Sequence, residues 1–174
     1  GSGTTLTLAK PTGIVVGELL VVTVDGRNTN EGGLWTDNVT GWNFTQESGS
    51  GNEDAYIALY WRITDGTENN NLSITLGASS TYVGIYYRVQ DAHATDPIHV
   101  SLETLTGATQ VTTFTVNEVT TTVDNCLLIT QCGSRRGVVT ISTSSTGWSL
   151  KSEEYTGAGT SNGDTVLGIF EKDL

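Results

Sequence analysis

The chain has 174 residues and a net charge of -11, with nineteen acidic side chains against eight basic ones. That balance excludes a general nucleic-acid binder, which needs a basic footprint. No apolar run comes near the roughly 18 residues of a membrane-spanning helix, so no membrane partner is expected.

The length suits one domain, taken as residues 1–174, with a core of its own. Leu6 and Leu8 alternate with Thr5, Thr7 and Ala9, the period of a half-buried strand, and Pro11-Thr12-Gly13 ends it. Residues 17–26 (GELLVVTVDG) follow. Leu19, Val21 and Thr23 point one way and Leu20, Val22 and Val24 the other, so both faces are apolar or nearly so. A strand of that kind is expected between layers rather than at an edge. Residues 27–39 read as a polar loop carrying Trp35. Thr40-Gly41-Trp42 turns into a strand, residues 48–54 are a hairpin tip, and residues 55–63 (AYIALYWRI) are the next strand. Leu72, Ile74 and Leu76 alternate as one strand, and residues 83–89 (VGIYYRV) form another after a Gly-Ala-Ser-Ser turn. Weaker strands are expected at 98–102, 112–116 and 138–142.

The pattern then restarts. Residues 124–133 (DNCLLITQCG) align without a gap on the earlier run, with Leu20/Leu127, Thr23/Thr130 and Gly26/Gly133 identical. Thr146-Gly147-Trp148 repeats Thr40-Gly41-Trp42, residues 153–163 repeat the hairpin tip, and residues 165–170 repeat the start of the 55–63 strand. Short strands at this spacing, joined by Gly, Asn and Ser turns, predict an all-β fold: an antiparallel β-sandwich, jelly-roll-like, with an internal pseudo-repeat of halves about 4–90 and 112–174. The second half ends at Leu174 without counterparts of the 72–76 and 83–89 strands. The first expectation is a sandwich already closed by the strands present; the alternatives are a chain that continues past Leu174 or a partner strand from a neighbouring copy.

The residues offer little chemistry. Cys126 and Cys132 sit six apart on one face of one strand, roughly 20 Å from each other if extended, too far to bridge. His93 and His99 flank a polar crossing without zinc-type spacing. Glu53-Asp54 and Glu153-Glu154 fall in hairpin tips, where both carboxylates are solvated and ill-suited to general acid catalysis. Asp25, Asn28, Asn30, Glu31 and Asp37 form an oxygen-rich loop, but without the EF-hand order of ligands; Asn and Asp also favour turns. No catalytic residue, metal site or cofactor is therefore expected. Aromatic side chains are the remaining candidates for contact with a ligand. Trp42 and Trp148 occupy equivalent positions and are expected to fill or seal the core. Trp35, in a loop outside the repeated frame, is the expected exposed contact for a glycan.

The succession Pro11-Thr12-Gly13, Gly17-Glu18-Leu19-Leu20-Val21-Val22, Thr40-Gly41-Trp42, Tyr60-Trp61-Arg62-Ile63, Tyr87-Arg88-Val89-Gln90-Asp91, Asp96-Pro97-Ile98 and Val119-Thr120-Thr121-Thr122-Val123-Asp124-Asn125-Cys126-Leu127 resembles a set of β-sandwich domains. Those domains occur in phage virion and tail-associated proteins and in bacterial extracellular proteins. Val89-Gln90 departs from the Gly-Val those domains often carry. The resemblance implies a non-enzymatic role at the virion surface: capsid decoration or cement, or a head fibre. It implies as partner the major capsid protein or another virion protein, and a homo-oligomer such as a trimer. The alternative is a carbohydrate- or receptor-binding module of a tail fibre or extracellular enzyme.

Overall fold

The computed structural model describes residues 1–27, 34–36, 39–46, 55–98, 120, 121, 123, 124, 126–135, 141–156 and 165–174. The expected strand at 98–102 beyond Ile98, the expected strand at 112–116, the 48–54 tip, His99 and Asn28, Asn30, Glu31 and Asp37 lie outside them. So do most of the expected strand at 138–142 and the later part of the second hairpin tip.

Among the described residues the chain is all β. The strands are β1 (Ser2–Ala9), β2 (Leu19–Arg27), β3 (Asn43–Gln46), β4 (Ala55–Ile63), β5 (Asn71–Val89), β6 (Leu127–Arg135), β7 (Ser149–Tyr155) and β8 (Thr165–Asp173). They form an antiparallel five-stranded sheet in the order β1-β5-β2-β4-β3 and an antiparallel three-stranded sheet in the order β6-β8-β7. The echoed segments pair alike: β2-β4-β3 in the first sheet and β6-β8-β7 in the second.

β2 is central, and every residue from Leu19 to Gly26 is buried. Its even-numbered face, with Val22 and Val24, meets Leu6, Trp35, Tyr56, Tyr60, Leu72 and Ile74 in the main core. Its other face, which carries Asp25, meets the second sheet: β8 lies against β2 and β5, and β6 against β4. Val83 and Ile85 of β5 pack there with Leu167 and Ile169 of β8. The double apolar face of the 17–26 run thus has the cause its sequence suggested, burial on both sides.

The expected pair of strands at 72–76 and 83–89 is instead one strand of 19 residues. Gly77-Ala78-Ser79-Ser80 makes no hairpin turn, because β1 stays paired along both parts: Leu8 opposite Leu72 and Ser2 opposite Thr81. The excess length is taken up as a bulge. β1 advances only from Gly3 to Thr5 while β5 runs from Ser80 back to Thr75. A bulge bends a strand, and here it lets the first part of β5 lay Leu72, Ile74 and Leu76 over the same core that its second part borders through β2.

Two repeated glycines have separate causes. A Cβ at Gly26 would stand 2.5 Å from Leu34 and 2.9 Å from Trp35, whereas at Gly133 it would stand 2.7 Å from the Asp25 carboxylate. The glycines of the Thr-Gly-Trp turns share one cause. Gly41 and Gly147 have φ of 80° and 85°, which a side chain disfavours. Each turn lies on a basic side chain of the neighbouring strand, Arg62 in β4 and Lys172 in β8.

Candidate functional site

Trp35, the expected exposed contact, is 1% exposed. Its indole Nε1–H donates to the Tyr56 carbonyl at 2.5 Å. The segment 34–36 is tied into the fold: the Gly77 N–H donates to the Leu34 carbonyl, the Thr36 hydroxyl to Thr75 O and the Tyr60 hydroxyl to Thr36 O. Leu34-Trp35 is an apolar pair in a polar stretch, and burying it against β2 and β4 outweighs the loop character of its neighbours. A ring so placed presents no face to a ligand, so the expectation for Trp35 is corrected.

Asp25 is likewise a strand residue and not a loop ligand. It is fully buried between the sheets, where its Oδ2 accepts a short hydrogen bond from the Thr165 hydroxyl and its Oδ1 has no partner among the described residues. Burial raises its pKa to about 8, offset in part by the bonds from Thr165 and the Gly26 N–H. Glu153 and Glu154 belong to β7 rather than to a hairpin tip, and Glu153 Oε1 accepts from the Ile141 N–H. His93 is exposed, and its Nδ1 accepts from the Asp96 N–H. Both cysteines are free thiols: Cys132 is buried, and Cys126 is half-buried just before β6. Among the described residues no three His, Cys, Asp or Glu side chains gather as a metal site would require.

Trp42 and Trp148 each pack against the hydrophobic cluster of their own half. They differ in company. Trp42 meets Tyr86 of β5 edge to face, with centroids 5.7 Å apart and planes at 73°, a favourable quadrupolar arrangement. No strand among the described residues takes the place of β5 beside β6, so Trp148 has no such partner.

The Trp42–Tyr86 pair lines a cleft of about 420 Å³ with Val39, Thr40, Arg62 and residues 67–69 and 71–73. This is within the range of about 300–1,000 Å³ typical of ligand pockets. Its polar wall is fixed by a tight turn. Asp65 Oδ1 accepts from the Thr67 N–H and hydroxyl, and Glu68 Oε1 accepts from the Asp65 N–H. Arg62 Nη2 bridges Asp65 at 2.9 Å and Glu68 at 3.3 Å, with side chains of Arg62 and Glu68 only 13% and 5% exposed. Lys10 Nζ reaches over to hold the Glu68 carbonyl. The Tyr86 hydroxyl is pushed up to about 12 by burial and by the nearby Glu68 charge, so it stays a neutral donor. A second, more open cleft of about 490 Å³ brings together Tyr82 and Tyr155. Tyr82 there spends its hydroxyl on Thr5 O at 2.6 Å.

Sequence reasoning singled out Trp42 only as core and passed over Tyr86, Arg62 and Glu68. Tyr86 lies in β5, a strand outside the segments that the two halves share, so the repeat drew no attention to it.

Comparison with protein-family models, with curated proteins and with solved structures found no match.

Proposed function

We propose that this chain is a non-enzymatic β-sandwich of jelly-roll type that serves at the surface of a phage virion, as a capsid decoration or cement protein or as a head fibre. The observation supporting the reading is where the motif residues behind the resemblance meet. Glu18, from the Gly-Glu-Leu-Leu run, accepts from the Val15 N–H at 3.0 Å, from Gln90 at 3.2 Å and from Arg88 at 3.4 Å. Arg88 also donates to the Gly13 carbonyl of Pro11-Thr12-Gly13, and the Thr64 hydroxyl receives the Glu18 N–H while donating to Val15 O. Motifs far apart in the sequence are thus one clamp at the end of the first sheet, as expected if they encode a scaffold and not a reaction. The partner is a repeating lattice of major capsid protein or another virion protein, met by surface contact, and a symmetric homo-oligomer such as a trimer suits that geometry. Mass spectrometry of particles purified from the encoding phage is expected to find this chain in fixed proportion to the capsid protein. Its absence from the particles would overturn the reading.

A second reading, a carbohydrate- or receptor-binding module of a tail fibre or extracellular enzyme, is favoured by the Trp42–Tyr86 cleft. It no longer involves Trp35.

A further inference from the structure

We infer that the Trp42–Tyr86 cleft binds an uncharged saccharide. This inference rests on the second of the two readings above and gives that reading a site and a ligand class.

A sugar ring needs an apolar surface for its C–H face and several polar groups at fixed positions for its hydroxyls. The cleft offers both. Trp42 and Tyr86 are each only partly buried, in a rigid edge-to-face pair. Neither the Trp42 indole N–H nor the Tyr86 hydroxyl makes a hydrogen bond among the described residues, in contrast to the indole of Trp35 and the hydroxyls of Tyr60 and Tyr82. Asn69 and Asn71, which also line the cleft, are exposed and their side chains make none among the described residues. Glu68 uses Oε1 for both the Asp65 N–H and Arg62, so Oε2 remains able to accept. Donors and acceptors that can each serve a hydroxyl therefore line the same cleft as the aromatic pair.

Charge selects among saccharides. Among the described residues Arg62 is the one basic side chain lining the cleft; Asp65 and Glu68 already pair its Nη2, and its Nε, though without a partner, is buried. A carboxylate or sulfate on the ligand would meet no unpaired cation there, and would approach a chain of net charge -11. Sialylated and sulfated sugars are thus disfavoured, and neutral ones accepted. Preorganisation favours binding, since the Asp65–Glu68 turn and the Lys10 bond fix the polar wall before any ligand arrives.

The test is a titration of the full chain with neutral oligosaccharides (cello-, malto-, chito- and galacto-series) and with sialylated and sulfated ones, at millimolar concentration. The indole N–H resonances are followed by NMR. A neutral series is expected to shift the Trp42 indole signal and leave that of Trp35 in place. Tyr86→Phe and Asn69→Ala are each expected to weaken the binding about three- to tenfold, the loss of one hydrogen bond, without changing Tm. No shift of Trp42 with any neutral series would overturn the inference, as would binding that both variants leave intact or a preference for the anionic sugars. Saccharide binding that leaves Trp42 unmoved overturns this site while leaving the module reading in force, and a particle-bound chain with no saccharide binding leaves the decoration reading in force.

Discussion

Trp35→Ala is expected to lower the unfolding free energy by about 3–5 kcal/mol, the usual cost of truncating a buried Trp. Against a typical total of about 5–15 kcal/mol this is a large share. Trp35 is among the largest fully buried side chains, lies in the main core with Val22, Val24 and Tyr60, and crosses β2 where Gly26 leaves room for it. The substitution removes that packing and the bond to Tyr56 O together. Urea denaturation measures the effect as a lower midpoint with a nearly unchanged slope. A change within about 0.5 kcal/mol, as surface substitutions give, would mean that the ring is not in the core. Gly26→Ala acts on the same contact from the other side, since its new methyl needs the space of Leu34 and Trp35.

The second large effect is on pH dependence. Asp25 keeps its proton in the folded chain up to about pH 8 because burial disfavours the carboxylate, whereas the unfolded chain loses it near the ordinary value of about 3.9. Between those two values the folded state binds the extra proton. Stability attributable to Asp25 is therefore fully present below about pH 4 and falls as pH rises to about 8, by up to about 1.4 kcal/mol per unit, after which it changes no further. The surroundings add to the effect. Cys132 on β6 has its thiol pushed up to about 12 by burial and by Asp25, so it stays a neutral neighbour that does not offset the carboxylate's charge. Thr23 Oγ1, Tyr87 Oη and Gln131 Oε1 are also buried without partners among the described residues. Glu18 acts in the opposite sense. The Val15 N–H, then Gln90 and Arg88, hold its carboxyl below the usual range, so its contribution is present above the unfolded glutamate value and lost as pH falls through the lowered one. Wild type is thus expected to be most stable on the acid side of neutrality, above the range where Glu18 is protonated. Asp25→Asn is expected to flatten the decline toward pH 8 and to be the more stable protein there, and a series of urea unfolding curves from pH 4.5 to 9 reads both. Parallel curves for the two proteins would show that Asp25 is ionised in the folded state.

How much of this was legible in the sequence depended on whether a residue's role was local. The both-sided burial of β2 was legible because consecutive apolar residues in a strand must face two layers. The gapless alignment marked the echoed strands as equivalent, but the pairing order they share and the positive φ of Gly41 and Gly147 came only with the structure. What failed was long-range. Leu34-Trp35 is buried by Gly77 and Tyr56, which lie far along the chain. The continuity of β5 is set by β1, which nothing in Gly77-Ala78-Ser79-Ser80 announces. Asp25 looked like the first of a loop's oxygen ligands, yet it is in the strand register opposite Ile57 and Val83 and bonded to Thr165, 140 residues away. The cleft has the same origin: Trp42, Arg62, Glu68 and Tyr86 come from a turn, two strands and a loop, and no spacing between them is diagnostic.

Sedimentation equilibrium of the purified full chain near neutral pH tests the proposed assembly at a repeating surface. The expected result is a discrete species whose mass is a multiple of the 18.4 kDa protomer, a trimer being the expected case. A single species at 18.4 kDa at every concentration tested would contradict it.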